Sequence, residues 1–149
     1  MSTPPPTDAP TTDEGSDERV SVLVYSDDRS TRDAVRQALG RRPAKDVPYV
    51  DIVEVATEPA VIRAMDKGGI DLAILDGEAV PAGGMGIARQ LKDEIYRCPP
   101  ILVLTGRPDD AWLATWSRAE AAVSHPIDPR LLADAAATLL RRRLARPVA

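Results

Sequence analysis

DLAILD (71–76), followed by GEAVPAGG (77–84), is the stretch that decides the fold. Four apolar residues lie between Asp71 and Asp76, with no polar alternation among them. A run of that kind suits a strand covered on both faces, as parallel strands are. Asp76 closes the strand, a Gly-rich loop follows, and Ile87, Leu91 and Ile95 then recur at helical spacing. The unit reads strand, loop, helix.

The same unit repeats outward. Upstream, Val20–Tyr25 (VSVLVY) is a β-branched run ending at Ser26-Asp27-Asp28. A helix follows it, with Val35 and Leu39 four apart, and stops at Gly40. Tyr49–Val55 reads as a second strand. Thr57 caps the next helix, Pro59 sits in its first turn and Gly68-Gly69 end it. Downstream, Pro100–Thr105 (PILVLT) is a fourth strand. Pro108 opens a short helix carrying Trp112, Leu113 and Trp116. Ala121–Ser124 is a short fifth strand. Asp128 and Pro129 start a last helix with Leu131, Leu132, Ala135, Ala136, Leu139 and Leu140 on its apolar side. Five strand–helix units predict a single doubly wound α/β domain with a parallel sheet and helices on both faces.

Composition narrows the function classes. The chain has 149 residues, is 44% hydrophobic and contains no Phe, so Val, Leu, Ile and Ala must build the core. No apolar run reaches the roughly 20 residues of a membrane span, and no secretory leader is visible. One Cys (Cys98) and one His (His125) exclude an internal disulfide and a Cys/His zinc site. A reducing, cytoplasmic compartment fits. The net charge of −4 resides in residues 1–19, where Asp8, Asp13, Glu14, Asp17 and Glu18 face only Arg19. The remainder is balanced, which leaves no broad basic footprint for nucleic acid. Arg141, Arg142, Arg143 and Arg146 form the one basic cluster, read either as a solvated helix end or as a partner-binding patch.

In a doubly wound sheet the working site lies beyond the carboxyl ends of the strands. Those ends carry Ser26-Asp27-Asp28, Asp76, Thr105 and Ser124-His125-Pro126. Carboxylates gathered in one crevice repel unless a proton or cation intervenes. Mg²⁺, a hard cation that takes oxygen ligands, is the simplest resolution. Each residue has a plainer alternative: Asp27 or Asp28 as a helix cap, Asp76 as an ordinary strand-end carboxylate, Thr105 as a turn hydroxyl.

With VLVYSDD, DLAILDG, the Pro81 and Gly84 loop, LTGRPDD and SHPID in these places, the chain resembles the receiver domain of two-component response regulators, a flavodoxin-like fold. The resemblance covers Val20 to Leu140. It implies Asp76 as phosphoacceptor. Mg²⁺ would be held by Asp27, by Asp76 and by the backbone carbonyl of Glu78, and Thr105 would contact the phosphoryl group. It also marks departures. The family's acidic pair falls on Ser26 and Asp27, so the first acid is missing, and Asp28 substitutes only if the loop shifts. His125 stands in place of the strand-five Lys, and an ordinary imidazole, with a pKa near ~6.5, is mostly neutral at neutral pH. The reporting aromatic falls on Ala122, and the loop after Asp76 carries one extra residue before Pro81.

The expectation is an atypical, non-enzymatic receiver-like protein that acts by binding another protein, with weak or no Mg²⁺. A phosphorelay receiver served by a histidine kinase is the alternative. A flavodoxin-like redox protein is disfavoured, because the two acids of SDDRSTR oppose a flavin phosphate. The face of the fourth helix, fifth strand and last helix would bring Trp112 and Trp116 to a partner. The stretch EIYRCPPILVLTGRPDDAWLATWSRA is similar to stand-alone actinobacterial receiver-like proteins, whose resemblance implies the proton-pumping NADH dehydrogenase as partner. The domains expected are a Pro-rich acidic tail, disordered or partner-docked, over 1–19, a receiver-like domain over 20–143 and a C-terminal tail over 144–149.

Overall fold

The computed structural model describes residues 18–107 and 111–145. Residues 1–17 of the tail expected over 1–19, the helix-opening Pro108, and residues 146–149 of the expected C-terminal tail, Arg146 among them, lie outside the described residues. The elements are β1 (Arg19–Tyr25), α1 (Arg29–Leu39), β2 (Tyr49–Val55), α2 (Glu58–Lys67), β3 (Leu72–Asp76), α3 (Gly84–Glu94), β4 (Ile101–Thr105), α4 (Ala111–Ser117), β5 (Ala121–Ser124) and α5 (Pro129–Ala145). Thus β1 begins one residue earlier than the expected domain, and α5 runs two residues past Arg143. The strands form one sheet in the order β2-β1-β3-β4-β5, every neighbouring pair parallel.

Alternate residues of the strands feed two separate cores. Val22, Val24, Leu72, Ile74, Leu102 and Leu104 point to one face, where Val35 and Leu39 of α1 and Leu132, Ala136 and Leu139 of α5 cover them. Leu23, Tyr25, Ala73, Leu75, Ile101 and Val103 point to the other. There they meet Val61 and Met65 of α2 and Ile87, Ala88 and Leu91 of α3. The strand period of two therefore explains why the central runs are apolar throughout.

Local signals set the helix ends. Asp28 caps α1 and Thr57 caps α2 through bonds to Ser30 N–H and Ala60 N–H. Gly40 ends α1 at a positive φ of 58°, a conformation cheap only for glycine. The third helix differs slightly from expectation: Gly84 is already helical, and Ile95 caps the C-terminus rather than extending the stripe. No helix among the described residues is long and apolar enough to cross a membrane.

Candidate functional site

The order reverses between β1 and β3, which opens a crevice at their carboxyl ends. Tyr25 pairs with Leu75 in register, so the residues that follow, Ser26 and Asp76, stand opposite each other. Both are buried. Ser26 Oγ donates to Asp76 Oδ2 at 2.7 Å. The Glu78 backbone N–H donates to Asp76 Oδ1 at 2.9 Å. His125 Nε2 lies 3.2 Å from that same oxygen. A buried carboxylate is costly unless its lone pairs are satisfied, and here the chain itself supplies three partners.

Ser26 is held in turn. Its Oγ accepts from Asp28 N–H at 3.0 Å, and its carbonyl accepts from Arg32 Nη1 at 2.7 Å. Arg32 Nε donates to Glu54 Oε1 at 3.1 Å, and Arg36 Nε to Glu54 Oε2 at 3.0 Å. These guanidinium bonds, that of Arg36 first, hold the Glu54 carboxyl below the usual range. The last residue of β1 is fixed from the other side: Tyr25 Oη donates to the Ala82 carbonyl at 2.6 Å. Burial pushes the Tyr25 phenol up, with Asp27, Glu58 and Asp76 adding to it.

The other expected site residues are placed as follows. Asp27 is exposed and accepts from Val80 N–H at 3.1 Å, fastening the loop after β3. Asp28 turns to α1, accepting from Ser30 N–H at 2.9 Å and Ser30 Oγ at 2.8 Å. The Ser30 bonds keep its carboxyl below the usual range. Of the roles left open for Asp28, capping is the one the geometry displays. Glu78 lays its carboxylate over Gly106: a Cβ there would sit 2.6 Å from Glu78 Oε2. Thr105 is buried at the end of β4, and its carbonyl accepts from His125 N–H at 2.8 Å. Asp27, Asp28, Thr31, Asp76, Glu78, Val80, Gly106 and His125 line an open cleft of about 370 Å³. Thr105 stands outside that lining.

Among the described residues, no group of three or more His, Cys, Asp or Glu is placed to hold a metal ion. Sequence reasoning did not anticipate that Ser26 would bond Asp76, nor that Arg32 would grip the Ser26 carbonyl. The position of Ser26 beside an expected acid was the available signal. Away from the cleft, Trp112 and Trp116 on α4 are 66% and 46% exposed, so both residues reach solvent on the face expected to meet a partner. Arg89 lies 4.9 Å from the Trp116 ring and donates from Nη1 to the Trp116 carbonyl at 2.7 Å. Ala122 on β5 is exposed and offers no ring to rotate.

Comparison with known proteins agrees with this architecture. The chain is 68% identical over 120 residues to a response regulatory protein of Mycobacterium tuberculosis strain H37Rv, covering 80% of this chain and 90% of that one. The counterpart in strain CDC 1551 matches equally. Among solved structures, the chemotaxis response regulator CheY4 of Vibrio cholerae superposes with a TM-score of 0.67 at 21% identity, covering 82% of this chain and 99% of the other. A signal receiver domain of a LuxO-type repressor from Vibrio parahaemolyticus gives 0.70 at 25% identity, covering 85% and 94%. No family model matches the chain.

Proposed function

Because the chain belongs to the response regulators, through its CheY-like receiver domain, we propose that it is an atypical receiver that works by binding a protein rather than by cycling a phosphoryl group. The Ser26–Asp76 hydrogen bond carries this reading. A second carboxylate at that position would demand a cation. A neutral hydroxyl instead satisfies Asp76 from within the chain.

The remaining acids support the same view. Asp27 is engaged with Val80 and Asp28 with Ser30. Mg²⁺ needs near-octahedral oxygen ligands and loses its waters reluctantly, and this donor set fits it poorly. On this reading Mg²⁺ binds weakly, through Asp27, Asp76 and the Glu78 carbonyl. Phosphoryl transfer depends on charge neutralisation and positioning, which a weak cation and an imidazole at His125 supply less well than a strong site with a Lys. The resemblance assigns Thr105 and His125 as the phosphoryl contacts; His125 already lies against Asp76, whereas Thr105 stands outside the cleft lining.

The partner would dock on the exposed indoles of Trp112 and Trp116, a residue type favoured at binding hot spots. The proton-pumping NADH dehydrogenase is the finer candidate, resting on resemblance alone, with the chain in the cytoplasm or on the cytoplasmic side of that complex. The alternative, a phosphorelay receiver served by a histidine kinase, has one observation in its favour: Asp76 and His125 both line an open cleft.

Intact-mass analysis after incubation with acetyl phosphate and millimolar Mg²⁺ separates the two. The expected result is an unmodified chain, identical to an Asp76→Asn control. A phosphoryl adduct on the wild type and none on Asp76→Asn would overturn the proposal and establish the relay.

A further inference from the structure

The register of the sheet brings Glu78 level with Gly106. Asp76 pairs with Leu104, and the Gly77 N–H, donating to the Leu104 carbonyl at 2.8 Å, carries the pairing one residue past β3. Two residues beyond Asp76 and Leu104 stand Glu78 and Gly106, and both line the cleft. The backbone on the Glu78 side is fixed. The Glu78 N–H donates to Asp76 Oδ1 at 2.9 Å, the Ala79 N–H to the Asp76 carbonyl at 3.2 Å and the Val80 N–H to Asp27 Oδ1 at 3.1 Å. From this rim the Glu78 side chain crosses to the loop after β4.

The carboxylate rests on Gly106 because Gly106 has no side chain. A Cβ there would lie 2.6, 2.7 and 3.0 Å from Glu78 Oε2, Cδ and Oε1, the three nearest atoms it would meet, all well inside van der Waals separation. Gly106 is not among the residues of positive φ, so its backbone conformation does not call for glycine. The missing Cβ is what makes room for the carboxylate. Among the described residues no hydrogen bond or ion pair holds that carboxylate, and Glu78 is exposed. The group is seated by shape and is free to be displaced.

We propose that Glu78 is a gate: its carboxylate, seated on Gly106, closes the cleft around Asp76 to phosphoryl donors and other oxyanions. The gate rests on the atypical-receiver reading given above and adds the barrier that keeps Asp76 unmodified. Two effects act together. The carboxylate fills space over the backbone that follows Thr105, which is buried and stands outside the cleft lining. It also sets a negative charge beside Asp76, and like charges at short range repel an incoming anion. Phosphoryl transfer depends on positioning and charge neutralisation, and a carboxylate in this seat opposes both.

The test is a titration of the full-length protein with beryllofluoride, a phosphoryl mimic, in millimolar Mg²⁺, followed through the amide signals of Asp76, Gly77 and His125. Glu78→Ala removes the carboxylate. Gly106→Ala pushes it off its seat and leaves Glu78 in the chain. In each variant the half-saturating concentration should fall at least tenfold below the wild-type value or its lower limit. Gly106→Ala added to Glu78→Ala should bring no further gain, since no carboxylate is left to displace. An equal response in wild type and both single variants, or no binding in any of them, would overturn the proposal. So would a gain confined to one single variant, which would separate the charge of Glu78 from its seat on Gly106. Acetyl phosphate distinguishes the gate from the reading it rests on. In that reaction an Asp76 oxygen bonds to phosphorus, the bond from phosphorus to the acetyl oxygen breaks and acetate leaves. A wild-type chain that takes the phosphoryl group overturns the atypical-receiver reading, while the ratio of variant to wild-type rates, tenfold or more against unity, still decides the gate.

Discussion

At position 26 a single side chain sets the electrostatics of the cleft. Ser26→Asp would place a second carboxylate against Asp76, and two such groups repel unless a proton or cation lies between them. We expect this variant to unfold at lower temperature than the wild type in chelator and to recover with Mg²⁺. The wild-type midpoint should not move with Mg²⁺. A variant that Mg²⁺ fails to rescue would remove Ser26 as the reason for a weak cation site. Ser26→Ala, by contrast, leaves a buried carboxylate short of one donor and should cost about 1–3 kcal/mol with or without Mg²⁺. The placement of Asp76 was legible in the sequence, because an acid ending an apolar strand falls at the carboxyl end of the sheet. The direction of the Ser26 hydroxyl was not legible. It depends on the parallel register of β1 and β3, which brings together residues far apart in the chain. Nor does sequence alone decide between Asp27 and Asp28, adjacent acids with the same chemistry; Ser30, on the first turn of α1, takes Asp28 as the cap.

At the scale of elements, the start of α3 touches the backbone of the site. A Cβ on Gly84 would lie 2.8 Å from the Asp76 carbonyl carbon and oxygen and from the Leu75 carbonyl carbon. Backbone atoms at a buried strand end cannot give way cheaply. Gly84→Ala should therefore cost about 1–3 kcal/mol in urea unfolding, as overpacking does. Gly86 on the same helix has open space around its Cα, so Gly86→Ala should be neutral or stabilising by up to about 1 kcal/mol. A similar loss in both variants would mean that helix entry, not contact with Asp76, sets the requirement. This contact also explains why the helix boundary was misjudged: a glycine reads as loop until its neighbours in space are known. The link between α1 and β2 carries a pH signature. Arg36 and Arg32 depress the folded-state pKa of Glu54, so the ion-pair stabilisation is fully present above the unfolded carboxyl pKa, near ~4.3, and is lost as pH falls through the lower folded value. Glu54→Gln should cost below about 1 kcal/mol at neutral pH, because the pair is partly solvated. The gap from wild type should close below roughly pH 4 and narrow in high salt. A gap that widens on acidification would contradict the assignment.

Across the whole molecule, no aromatic on β5 joins the cleft to the indole face among the described residues. In the receiver family the resemblance assigns such a link to an aromatic on β5; here the position is Ala122, small and exposed. A ligand shifts a conformational equilibrium only through differential contact with two states, and a methyl group has no second packed rotamer to offer. The two indoles should therefore report nothing about Asp76. Iodide should quench both readily, as their 66% and 46% exposure requires. The quenching constants and emission maximum should be the same in wild type and Asp76→Asn, and unmoved by Mg²⁺ with beryllofluoride. Truncating both, as Trp112→Ala with Trp116→Ala, should change stability by no more than about 0.5 kcal/mol per site, as exposed positions do. The same double variant should weaken partner capture at least tenfold, about 1.4 kcal/mol. An emission shift on adding beryllofluoride, lost in Asp76→Asn, would show that some other path couples cleft to face. The binding surface would then be a switched one rather than a constitutive one.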